Sequence, residues 1–320
     1  MFIKFHINRE FFYFLLFISI ALMDKGVFAF MSKSQLIIDI INNFSMCCLI
    51  IFYFYQILYS REKNTKNKTI ISYNIILLIA CCILFDLNHL WLLKFNKKNQ
   101  SLKEIFFVVI FLLIDIIVFN KNIYSHHILS NMIMIIISLI MYIFYSKHLL
   151  NFIISFYFII LESYCYSFQY LIIYYLNSHY FINVFLMGSI IGTSELIYNI
   201  IVFFVNQDKI KTINNFPFLM FIFIIKFFYH FLFFLIVYKI SPIHAFLCYS
   251  ISSMIFNFIF ENRQIFYILL GFFLILSIMI YLEIIEIQCF GLNKNIKNKI
   301  IERSNKEAII LLKDLKDNNI

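Results

Sequence analysis

Apolar runs of about 20 residues, separated by short polar breaks, recur along nearly the whole chain. Each is long enough for a helix to cross a hydrocarbon core of ~30 Å. Inside lipid every backbone amide must be paired within the protein, which leaves helices and closed barrels. A barrel would alternate apolar and polar residues and need many turn residues, whereas this chain has 5 Gly and 2 Pro in 320 residues. The breaks delimit about ten spans. They run near 10–30 (interrupted by Asp24 and Lys25), 38–59, 70–93, 105–119 and 128–146. A sixth follows Lys147 and His148 and ends near Asn177, and a seventh covers 180–205. The eighth opens at Pro217 and closes at Lys239, the ninth opens at Ser241-Pro242, and the tenth runs from after Arg263 to about Gln288. Proline suits the start of the ninth, where its missing amide would be unpaired anyway.

The pattern predicts an all-α polytopic membrane domain over 1–290, with a first half at 1–146 and a second at 147–290. Lys4 and Arg9 precede the first span, but no A-x-A-like cleavage site follows it, so a retained helix is expected. Residues 291–320 form a charged cytosolic tail. Ile301, Ala308, Leu311 and Leu315 recur there at helical spacing, which fits either a short amphipathic helix on the membrane or a solvated segment. Placing both termini in the cytosol puts more Lys and Arg on that side, although the surplus comes from the tail.

Composition narrows the function classes. The chain is 63% hydrophobic and 13% charged, with a mean hydropathy of +0.89, too little polar surface for a soluble domain of this size. The net charge of +9 sits mainly in loops and tail. No soluble segment offers the basic face that nucleic-acid binding requires. The seven cysteines, at 47, 48, 81, 82, 165, 248 and 289, lie in or beside apolar runs without a CxxC pair, and read as small buried hydrophobes. His126, His127 and His148 lack a Cys or carboxylate at ligand spacing and are expected on the surface, so no metal is assigned. No Ser-His-Asp set, phosphate-cradling glycine loop or HExxH occurs, and no cofactor or enzymatic activity is expected. The abundance of Phe and Ile reads as compositional drift, so an aromatic stripe alone says little about a ligand.

A repeat is faintly visible. Phe119-Asn120-Lys121-Asn122 closes the fourth span before a fifth ending near Tyr142, and Phe260-Glu261-Asn262-Arg263 closes the ninth before a tenth ending near Tyr281. Both units read helix, polar turn, helix. The stretch from Ser241-Pro242 through Asn257, Phe260-Glu261, Gly271 and Tyr281 resembles the last two helices of the drug/metabolite transporter superfamily. Glu283-Ile284-Ile285-Glu286 with Gly291-Leu292-Asn293-Lys294-Asn295 resembles the exit from helix ten in solute-carrier-35-like members. Gly188 through Glu195 is similar, in degraded form, to that family's helix-seven opening. The resemblance covers about 150–300; the first half agrees in helix number and spacing. It implies about ten transmembrane helices in a 5+5 inverted repeat, a central cavity and alternating access. Phosphate-handling members usually carry basic residues in helix nine. None lies between Pro242 and Phe260 here, which weighs against a phosphorylated substrate.

An ionisable group at bilayer depth costs about 2.5–3.5 kcal/mol on insertion scales and usually faces a cavity or a partner. Lys226, with His230 one turn later, reads either as the counter-charge for an anionic solute or opposing carboxylate, or as a structural lysine. Glu162, Tyr166 and Gln169 make a polar stripe on span six that fits a proton-coupled pathway or a membrane boundary. Asp115 needs a partner, and Lys226 is the expected one. Ser250, Ser253 and Asn257 share a face of span nine and suit either substrate binding or helix association. Asp86, Asn88 and His89 read as interfacial. Gly188 and Gly192 form a GxxxG packing contact. The expected function is secondary transport of a small organic solute across an endomembrane or the plasma membrane, as a monomer or homodimer partnered by lipid and substrate but not nucleic acid. A non-transporting membrane scaffold is the alternative.

Overall fold

The structure, a computed structural model, describes residues 3–5, 9–30, 35–59, 75–84, 110, 113, 124–145, 149–180, 183–205, 216–260 and 265–287. A short strand β1 (Ile3–Phe5) leads into α1 (Arg9–Phe30), α2 (Gln35–Cys47) and α3 (Ile50–Tyr59). Then come α4 (Ile75–Leu84), α5 (Ser125–Tyr145), α6 (Leu149–Tyr180) and α7 (Val184–Val205). The chain continues through α8 (Phe216–Lys239), α9 (Pro242–Phe260), α10 (Ile265–Tyr281) and strand β2 (Ile285–Ile287). Among the described residues three helical segments are long and apolar enough to cross a membrane: Ile37–Tyr55, Val184–Phe204 and Phe216–Lys239. Their outward side chains are apolar too, including Ile51, Tyr55, Ile197, Phe204, Phe216 and Phe221. A surface this greasy is suited to lipid. The helical membrane-protein class is thus as expected. The tail, Asp86, Asn88, His89, His148 and Cys289 lie outside the described residues.

Two local details differ from the expected spans. Asp24 and Lys25 do not interrupt the first helix, because both find partners within the bundle. The second span is jointed at Cys48–Leu49, where hydrogen bonds shorten to the three-residue register: Leu49 donates to the Met46 carbonyl and Ile51 to that of Cys48, each at 3.1 Å.

The core is built from ring packing. Tyr170 of α6 stands edge-on to Phe246 of α9, with centroids 5.0 Å apart, and to Phe233 of α8 at 5.2 Å. Phe17 of α1 stacks on Tyr229 at 5.4 Å. Offset and edge-to-face geometries of this kind add to the gain from burial alone. Among the described cysteines, Cys81, Cys82, Cys165 and Cys248 are buried, as their apolar setting predicts.

Close backbone approach occurs at the GxxxG. A Cβ on Gly192 would sit 2.8 Å from the Met46 Cβ, 2.9 Å from the Cys47 amide and 3.0 Å from the Asn43 carbonyl, so α7 rides directly against the α2 backbone. At Gly188 the neighbour is the movable ring of Phe234.

Helices α5 and α10 run antiparallel and share a reciprocal serine contact. Ser130 Oγ donates to the Ser277 carbonyl at 2.6 Å, and Ser277 Oγ to that of Ser130 at 2.7 Å. Helix α10 ends in a Schellman turn: the Glu283 amide bonds the Ile280 carbonyl (3.1 Å) and the Ile284 amide that of Met279 (3.0 Å). Glu283 occupies its left-handed position, φ 57°, where glycine is usual, at a cost of roughly 1–2 kcal/mol. The chain then enters β2, which pairs antiparallel with β1 in the register Ile3↔Ile287, Lys4↔Glu286, Phe5↔Ile285.

Replacing Gly192 by Ala is expected to destabilise the protein by about 1–3 kcal/mol, since backbone atoms cannot rotate away. Gly26→Ala, with nothing within 4 Å, is expected to be neutral or stabilising by up to about 1 kcal/mol. Melting curves in detergent, including Gly188→Ala as the intermediate case, check the order.

Candidate functional site: a polar junction inside the helices

Four helices bring polar side chains together where the chain is otherwise most apolar. Lys226 sits about 15 Å from the start of α8 and about 20 Å from its end at 1.5 Å per residue, and it is buried. A charge at that depth needs an opposite charge. The structure supplies Asp24 of α1: Lys226 Nζ lies 2.7 Å from Oδ1 and donates to Oδ2 at 2.9 Å. Both oxygens of the carboxylate therefore face the ammonium. Among the described residues it is thus Asp24 that pairs with Lys226, where the sequence had suggested Asp115. Asp115 itself lies outside the described residues.

One turn along α8, His230 reaches α2, with Nε2 3.0 Å from the Asn42 Oδ1. The Asn42 amide donates onward to Asn43 Oδ1 at 3.1 Å. Asp39, one turn earlier on α2, lies within electrostatic reach of Lys226. On the α9 side, Lys25 donates to Ser253 Oγ at 3.0 Å and caps the Tyr249 ring, 4.1 Å from its centroid. Such a cation over an aromatic face is attracted by the ring quadrupole. Two adjacent residues of α1 thus turn in opposite directions, Asp24 toward α8 and Lys25 toward α9.

Among the described residues, the polar groups buried without a hydrogen-bonding partner include two more on α6 and α9. Both amide atoms of Gln169 on α6 are unpaired, as is the Ser250 hydroxyl on α9. Buried orphans of this kind are rare in native proteins and call for a water, an ion or a ligand.

Of the sequence-derived candidates, Lys226, His230 and Ser253 belong to the junction and Gln169 is buried in the bundle. Glu162 and Tyr166 lie on α6 and Asn257 on α9, with side chains outside the described residues. Sequence reading missed Asp24, Lys25, Asn42 and Asn43. The available signal was the adjacent pair Asp24-Lys25 within an apolar run, which becomes a demand for partners once the run is read as one unbroken helix. Searches against protein-family models and curated proteins found no match.

A double-mutant cycle measures the pair. Lys226→Met or Asp24→Leu alone leaves one charge buried and is expected to cost about 3–5 kcal/mol, whereas the double variant should return to within about 1–2 kcal/mol of the parent. Denaturant titration in mixed micelles reads this, and additive losses would mean that the two groups do not depend on each other.

Proposed function

We propose that the protein is a secondary transporter of a small organic solute and that the Lys226–Asp24 pair is the latch its transport cycle opens and closes. The observation carrying this reading is a doubly contacted ion pair at mid-helix depth that joins the two halves of the chain. In a low-dielectric setting the pair is strong, and each charge is costly when left alone. An anionic solute at Lys226, or a proton at Asp24, would remove that mutual dependence and free α1 from α8. Ligands shift such equilibria only through different affinities for the two states, and competition for a buried charge is a direct source of that difference. Gln169 and Ser250 supply hydrogen-bonding capacity that the closed arrangement leaves unused.

The proposed architecture is ten crossings in a 5+5 inverted repeat, as the resemblance to the drug/metabolite transporter superfamily implies. Three features support it. In such a repeat, spans two and seven correspond, as do five and ten, and each pair straddles the two-fold axis. Among the described helices α2 packs on α7 and α5 on α10, the latter through hydrogen bonds that are themselves two-fold reciprocal. Finally, α5 starts and α10 ends on the face where α1 begins, as expected for even numbers of crossings in between.

The test begins with a thermal-shift screen of nucleotides, sugars, amino acids and vitamins, followed by liposome uptake of the stabilising solute. The Asp24→Leu/Lys226→Met double variant is expected to remain folded and lose at least tenfold in uptake; Lys226→Ala and Glu162→Gln are expected to lose uptake as well. Undiminished uptake by the folded double variant would reduce the pair to helix glue and leave a non-transporting scaffold as the better reading.

A further inference from the structure

We propose that His126, His127 and Glu283 form a binding site for one divalent transition-metal ion of the zinc class, at the membrane face where α5 begins and α10 ends. The sequence suggested surface histidines without a carboxylate. The fold corrects this, because the antiparallel pairing of α5 with α10 carries Glu283 onto the first turn of α5 and buries His126.

Four observations converge on the site. One ligand atom from each of the three residues lies within 4.8 Å of the others. Around a tetrahedral zinc, with bonds of about 2.0–2.2 Å, such atoms stand roughly 3.4 Å apart, a closure that side-chain rotation can supply. Second, His126 is buried with both ring nitrogens lacking a hydrogen bond. Its Nε2 is 3.3 Å from Glu283 Oε1, within ion-pair distance but not aligned as a hydrogen bond. Third, Glu283 holds the left-handed backbone position that glycine normally takes. Backbone strain retained at one residue points to a task for its side chain, and here that side chain reaches the imidazoles. Fourth, the His127 ring is stacked on Tyr281 at 4.4 Å and lies 4.1 Å from that of His126, so both rings are held before any ion arrives.

Two imidazole nitrogens and one carboxylate oxygen suit zinc and its transition-metal neighbours, whereas magnesium and calcium prefer all-oxygen shells. Three protein ligands leave a fourth position for water or another group. A bound ion would clamp α5 to α10 beside the β1–β2 ribbon. The site is separate from the polar junction and does not depend on the transport reading.

The full chain, purified in detergent, stripped with chelator and dialysed into metal-free buffer, is titrated with Zn²⁺, with Co²⁺ as spectroscopic probe and Mg²⁺ as control. The parent is expected to retain about one zinc per chain, to melt higher with zinc but not magnesium, and to give the visible absorption of tetrahedral cobalt. Glu283→Gly removes a ligand while relaxing the backbone, so without metal it should melt at or above the parent, yet bind zinc at least tenfold more weakly. His127→Gln, read by the same titration, should lose affinity to a similar degree. Zinc retention below one equivalent by the parent, or unchanged affinity in either variant, would overturn the proposal and leave a simple histidine–carboxylate contact.

Discussion

The fold is organised around a simple constraint: a lysine cannot sit halfway along an apolar helix unless an opposite charge meets it there. Asp24 does so with both carboxylate oxygens, and this fixes the register of α1 on α8. With that register set, Lys25 falls over Tyr249 and Ser253 of α9, and His230, one turn beyond Lys226, comes level with Asn42 of α2. A well-packed hydrophobic pair would often be as stable or more so. What the geometry shows is alignment, since the pair sets α1 against α8 at one register.

Around the junction the bundle solves an unusual packing problem. Membrane helices commonly associate through small residues, but this chain has few glycines and 43 phenylalanines. Among the described residues, close backbone contact occurs at Gly192 against α2 and at the paired serines of α5 and α10. At other contacts interleaved rings hold the helices apart, as where Phe52 of α3 meets Phe231 of α8 with centroids 4.5 Å apart. The aromatic enrichment that makes the sequence hard to read is, in the folded protein, simply its filler.

The helices were legible because length and hydropathy act locally, so α7, α8 and α9 begin and end within a few residues of the expected limits. Lys226 and His230 were legible because a charge in oil stands out against its neighbours. Their partners were not, because Asp24 is separated from Lys226 by 202 positions and any buried carboxylate was an equal candidate until the helices were packed. His126 was misjudged for the same reason. Burial and a nearby carboxylate came to it from α10, and no window of sequence around the two histidines contains that information.

The pairing of β1 with β2 ties together the flanks of the first and last described helices, so the contacts that secure α1 come from distant parts of the chain. At roughly 5–20 residues per second, the ribosome delivers Lys226, 202 positions on, about 10–40 s after Asp24, and β2 only once α10 has emerged. Throughout that interval the Asp24 carboxylate is without the lysine that meets it in the folded protein. Its neighbours arrive late, and the ribbon closes after them. Helix α1 is thus made well before the partners that secure it.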